Sequence, residues 1–165
     1  MSAPNVVIMM GSDSDYDIMK ETGEVLKAFG VSFSVEVLSA HRSPDLVSEF
    51  AKGARDNGVK VVIAGAGGAA HLAGVVAAHT TLPVIGVPVA ATSLNGFDSL
   101  LSTVQMPSGI PVATVAVGIA GARNAGILAV QILSLSDAGL AKKLAEFKVR
   151  LIEKVKEKNA KIKNL

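Results

Sequence analysis

His41 and Arg42 stand side by side in Ser39-Ala40-His41-Arg42-Ser43-Pro44. An imidazole titrates near neutrality and can carry a proton in either direction. A guanidinium grips phosphate through paired N–H donors. Taken singly, a histidine is often hydrogen-bonded into the structure and an arginine is often a surface charge. Adjacent on a loop and flanked by serines, they read as a proton shuttle and a phosphate anchor. A second polar cluster is Gly11-Ser12-Asp13-Ser14-Asp15. Its hydroxyls and amides suit a phosphate, and a carboxylate suits ribose hydroxyls. The same residue types cap helices, but two serines and two aspartates exceed what one cap needs. The cluster is not a Walker A loop, because no Gly-Lys-Ser/Thr element follows. A third stretch, Ile63 to Gly74, holds Gly65, Gly67, Gly68, Ala69, His71 and Leu72. Its glycines remove side chains where a strand turns into a helix, which exposes backbone amides to an anion. Two readings of His71 stand: it orients a ligand, or it satisfies a buried carbonyl. His79 reads as a packing residue. No His-x-x-x-His pair or flanking carboxylate supports a metal site, so none is expected.

These loops require a frame. Val6 to Met10 is a short apolar run that reads as a buried strand. The helix after it puts Ile18, Thr22, Val25, Leu26 and Phe29 on one face, and Gly30 stops it. Val31 to Leu38 alternates as a second strand. Pro44 suits the first turn of a helix capped by Ser43, with Leu46, Val47, Phe50, Ala51 and Ala54 as its apolar stripe. Val59 to Ala64 forms the third strand, and a small-residue helix runs on from Ala69. Val84 to Val87 is the fourth strand, ended by Pro88. Leu94 to Val104 is helical, within a connection long enough to be a lid or a subunit contact. Asp98, Ser99 and Gln105 to Pro107 lie in that connection without a defined role. Val112 to Val117 makes the fifth strand. Gly118 to Gly121 turns, and Ala122 to Leu135 is helical, with Asn124 able to cap or to touch a ligand. A last helix starts at Asp137, with Leu140, Leu144, Phe147, Leu151 and Val155 at spacings of three and four.

Five strands alternating with helices predict one α/β domain over residues 1–165: a doubly wound parallel sheet covered on both faces, with a helical extension from about residue 140. Ligands in such sheets gather beyond the carboxyl ends of the strands. The polar loops after the first, second and third strands, and the segment after Pro88, all fall there.

Composition narrows the partners. Half of the 165 residues are hydrophobic, and Gly and Ala abound, which favours close packing, including packing between subunits. Absent cysteines exclude disulfides and thiolate chemistry and fit a reducing cytoplasm. No secretory signal or transmembrane span is expected. Residues 142–165 carry nine Lys or Arg against three Glu, so this tail is at +6 and the remainder at −4. Acidic residues interleave at helical spacing, which reads as a solvated helix rather than a nucleic-acid surface. A receiver domain would need an acidic pocket with a phosphoacceptor Asp at a strand end and a conjugate Lys, but no strand after the first ends in Asp and no Lys follows the fifth; a flavin site would need stacking aromatics, and there is one Tyr.

Five stretches in one register carry a family resemblance: Gly11–Asp15, Ser39–Pro44, Ala64–Leu72, Asp98–Pro107 and Gly118–Ala125. Together they resemble the PurE family, N5-carboxyaminoimidazole ribonucleotide mutases of bacterial purine biosynthesis. The resemblance implies a flavodoxin-like three-layer α/β/α fold and a homo-octamer in the cytoplasm. It implies an isomerase that moves a carboxylate from N5 to C4 of an imidazole ribonucleotide, with no metal, nucleotide cofactor or biotin. It gives His41 the general acid/base role and Arg42 the phosphate, with Ser39 and Ser14 nearby. Ser12 and Asp15 would bind the phosphoribosyl part, and Gly67, Gly68, Ala69, His71 and Leu72 would surround the migrating carboxylate. A related form that takes free carbon dioxide has Lys after the catalytic His, so Arg42 favours the mutase. Tyr16, Ala73, Val75 and Ala90–Thr92 depart from the family pattern.

Overall fold

In the computed structural model, which describes residues 4–163, strand β1 (Val6–Met10) is buried along its whole length. Alternation along it divides the core in two. Val6, Ile8 and Met10 face α1 (Tyr16–Phe29) and α5 (Gly118–Ser134). Val7 and Met9 face α2 (Pro44–Gly53) and α3 (Leu72–His79). A strand buried on both faces needs apolar residues at every position, and this run supplies them. The other strands are β2 (Phe33–Val37), β3 (Val61–Gly67), β4 (Val84–Val89) and β5 (Ala113–Thr114). All pair in parallel, in the order β2-β1-β3-β4-β5. This is the flavodoxin-like order, in which the chain reverses direction across the sheet between β1 and β3. Helices on both sides make three layers.

The first α/β unit forms as expected. Gly30 ends α1 in the left-handed region at φ 75°. Glycine adopts that conformation at little cost, which is why it so often closes a helix. Several boundaries differ from the sequence reading. Strand β3 runs on through Gly65 to Gly67 instead of turning at Gly65. A Cβ at residue 65 would collide with Met19, so this glycine makes room for a core side chain. The turn is confined to the next residues, with Gly68 at φ 60°, and α3 begins at Leu72 rather than Ala69.

Pro88 does not end β4 but lies within it, opposite Ala66. The reason lies in β5, which spans two residues rather than the six expected from Val112 to Val117. It pairs only with Ile85 and Gly86. The Gly86 carbonyl accepts from Val115 N–H on that side. Two residues on, Pro88 faces the same way but beyond β5, where its missing N–H breaks no ladder.

Helix α4 is Phe97–Val104, shorter at its start than expected, because Asn95 and Gly96 both take positive φ, 52° and 88°. Helix α5 starts at Gly118, so Gly118 to Gly121 is its first turn and not a loop.

Helix α6 (Ala138–Lys163) runs 26 residues and is capped by Asp137, whose carboxylate accepts from Leu140 N–H at 3.0 Å. Leu140, Leu144 and Phe147 pack on the core, the last edge-on to Phe29 at 5.7 Å. Further along the expected stripe, Leu151 and Val155 are exposed. No helix among the described residues is long and apolar enough to cross a membrane.

Candidate active site

The loops after β1, β2, β3 and β4 converge at the carboxyl edge of the sheet around a cavity of about 420 Å³. Each is placed by the strand before it, so the parallel register brings distant sequence positions to one rim. Ser12, Ser14 and Asp15 come from the first loop, and Ser39, His41 and Arg42 from the second. Gly67, Gly68, Ala69, His71 and Leu72 come from the third. Every residue assigned to the site from the sequence therefore lines one cavity.

The two histidines touch. His41 Nε2 lies 2.8 Å from His71 Nδ1, with the rings edge to face at 84°. One nitrogen must donate and the other accept, so the pair shares a hydrogen. The Nδ1 partner of His71 is thus an imidazole, a contact that neither reading of His71 named. Both rings are exposed to the cavity. His71 is also the residue before α3. The first amides of a helix have no helical acceptor and carry the positive end of its dipole.

Arg42 is held across the loops. Its Nη2 donates to the Gly11 carbonyl at 2.9 Å, and its backbone N–H donates to Ser39 Oγ at 3.2 Å. Ser43 begins α2 without a capping bond to that helix. Its hydroxyl instead donates to the Ser39 carbonyl at 3.1 Å and accepts from Ser39 N–H at 3.1 Å. The hydroxyl thus closes the loop that carries His41 and Arg42.

The first loop divides its work. Ser12 caps a short 3-10 turn, Asp13–Asp15, by accepting from Ser14 N–H at 3.3 Å. Ser14 Oγ donates to Ser12 Oγ at 2.9 Å. Asp15 precedes α1 yet makes no side-chain cap bond, so capping does not account for it. Its residue surface is only 5% exposed. Burial pushes its carboxyl above the usual range, against the opposing pull of the Ser12 backbone and the Arg42 charge. The sign is clear: a carboxyl raised by folding stabilises the protein below its unfolded value and loses that contribution as pH rises through the folded one. Asp15→Asn is therefore expected to raise Tm at pH 7, with the gain vanishing toward acid pH. Thermal scans at pH 4 and 7 check it.

Three alanines and a threonine on the cavity wall carry no chemical signal of their own in the sequence. Ala40, Ala66, Ala91 and Thr92 join the lining, the last two from the segment after Pro88. Asn124 lies outside, in a groove between α5 and α6 with Phe147 and Lys148. Among the described residues, no three His, Cys, Asp or Glu converge as a metal site.

The four-loop rim has known counterparts. A family model described as AIR carboxylase matches residues 5–154. The chain belongs to the AIR carboxylase family. The N5-carboxyaminoimidazole ribonucleotide mutase of Thermotoga maritima is 52% identical over 162 residues, covering 98% of this chain and 94% of that protein. The protein of the same name from Aquifex aeolicus is 60% identical over 141 residues, covering 86% of this chain and 83% of its own. A crystal structure of Treponema denticola PurE superposes with a TM-score of 0.85 at 30% identity, covering 96% of this chain and 98% of that one. The AIR carboxylase match takes in all four rim loops and ends within α6.

Proposed function

We propose that this chain is an N5-carboxyaminoimidazole ribonucleotide mutase of purine biosynthesis. The names of its relatives support the reaction, and the observation that carries it is the His41–His71 contact at 2.8 Å in the cavity that also holds Arg42 and Asp15. Arg42 binds the 5′-phosphate, and Ser12, Ser14 and Ser39 add hydroxyls around it. Asp15 accepts from the ribose.

Chemistry follows from these placements. The bond from N5 to its carboxylate breaks, releasing carbon dioxide, and N5 takes a proton from His41. Ring carbon C4 then attacks the retained carbon dioxide, forming the new carbon–carbon bond, and its hydrogen leaves to His41. One imidazole gives a proton and recovers one, so the cycle closes without another acid or base. His71 holds the His41 ring and hydrogen-bonds the carboxylate. Gly67, Gly68, Ala69 and Leu72 supply a close wall with few groups to hold water, which keeps the one-carbon fragment near C4.

Free carbon dioxide added directly to the decarboxylated ribonucleotide is the second reading, the reaction that the family's description as AIR carboxylase names. The test supplies the N5-carboxylated ribonucleotide without ATP or bicarbonate. Formation of the C4-carboxylated isomer supports the mutase. Turnover only with the decarboxylated ribonucleotide and carbon dioxide supports the carboxylase.

The same reading makes the protein a cytoplasmic homo-octamer. Phe97, Leu101 and Val104 on α4 form an apolar stripe at helical spacing, 64%, 41% and 48% exposed. Such a patch suits burial against further copies.

A further inference from the structure

Asp98 is not among the residues that line the cavity, yet it controls one that is. Thr92 Oγ1 donates to Asp98 Oδ2 at 2.6 Å and accepts from Leu94 N–H at 3.1 Å. The other carboxylate oxygen accepts from Ser99 N–H at 2.8 Å. A threonine hydroxyl has one hydrogen, and here it is spent away from the cavity. The Thr92 methyl turns the other way and lies 3.5 Å from where a Cβ on Gly68 would stand. Ala91 closes likewise over Gly67, where an added Cβ would meet its methyl. Below the clasp, Ser99 Oγ donates within reach of the Val89 and Gly96 carbonyls, 2.9 and 3.0 Å, tying the start of α4 to the end of β4. The β4–α4 loop is thus fixed at both ends, and its apolar side covers the glycine turn. The Thr92 hydrogen bond holds the Asp98 carboxyl below the usual range, so the clasp is intact at neutral pH.

We propose that Asp98 is a positioning residue: through Thr92 it seats an apolar wall over Gly67 and Gly68 and so retains the one-carbon fragment between its departure from N5 and its capture at C4. The inference rests on the mutase reading. Without the clasp the segment that carries Ala91 and Thr92 is released from Gly67 and Gly68, water enters, and carbon dioxide escapes before C4 reacts. The signature is a changed partition between the C4-carboxylated product and the released decarboxylated ribonucleotide. A general loss of fold would not produce it.

The experiment is a double-mutant cycle on the full-length protein with Asp98→Ala, Thr92→Val and the pair. Thr92→Val keeps the branched shape and removes the hydroxyl. Each single change is expected to raise the escaped fraction and lower kcat about tenfold with KM little changed, as for a misplaced wall near the reacting atoms. The double variant should be no worse than either single, because both remove the same contact. Asp98→Asn, which can still accept from Thr92, should recover part of the loss. Multiplying defects, or wild-type partition in Asp98→Ala, overturn the proposal. If Asp98→Ala does not fold, Thr92→Val alone carries the test, and wild-type partition in it overturns the proposal. Amide exchange at Leu94 and Ser99 reads the clasp without turnover. Faster exchange in Asp98→Ala supports it, and unchanged exchange defeats it. An inactive wild-type protein would defeat the mutase reading and leave that exchange result to decide the clasp.

Discussion

His41→Asn is expected to lower kcat by about a thousandfold while the protein melts and binds its ribonucleotide as before. The expectation rests on the division of labour at the rim. Arg42, Asp15 and the serines hold the phosphoribosyl end, and none of their contacts runs through the His41 side chain. Binding should therefore survive. The proton to N5 and the proton from C4 both pass through one imidazole, so both half-reactions should fail together. Asparagine is too short to reach His71 Nδ1 and has no basic nitrogen. Steady-state rates, ligand titration and a thermal scan on one preparation separate the outcomes. Wild-type turnover would remove His41 from its role, and a collapsed melting curve would make it a structural residue.

Gly121→Ala carries the largest expected loss of stability. Gly121 is buried in the first turn of α5, and a methyl there would fall on the Ala116 carbonyl oxygen. No side chain can swing aside, because the obstacle is backbone. The helix start must move, yet α5 is pinned to α1 by Thr22 Oγ1, which donates to the Ala122 carbonyl at 2.8 Å, and by Gly126 against Val25. Overpacking typically costs about 1–3 kcal/mol, and an obstacle that cannot relax belongs at about 3 kcal/mol. For a chain of this size that corresponds to a fall in Tm of roughly 6–12 °C. Gly118→Ala is the control. Gly118 has a positive φ of 72° but open space around it. Only conformational strain of about 1 kcal/mol is therefore expected there. Equal losses at the two positions would show that crowding at Ala116 is not the cause.

The convergence of the polar loops was more legible in the sequence than the ends of the strands and helices that carry them. Hydroxyls, carboxylates and imidazoles interrupt apolar runs at strand ends, and a parallel register delivers strand ends to one rim, so His41, Arg42 and His71 could be joined before the fold was seen. What failed was governed by contacts far away in the chain. Pro88 reads as a strand end because the brevity of β5, which frees its nitrogen, cannot be seen locally. Gly118 and Gly121 read as a turn because glycine disfavours helices. The crowding that demands Gly121 comes from Ala116, after the fold has formed. The Thr92–Asp98 bond joins residues six apart across a turn, and no spacing announces it. Its partners look like ordinary loop polarity until Gly68 is placed beneath them.

Pro88 has one more consequence. Where β5 stops, the upper half of β4, Val87-Pro88-Val89, has no strand on its β5 side and yet stays buried. A buried amide left there without an acceptor would cost about 1–3 kcal/mol. A ring nitrogen that carries no hydrogen strands no donor where the ladder ends.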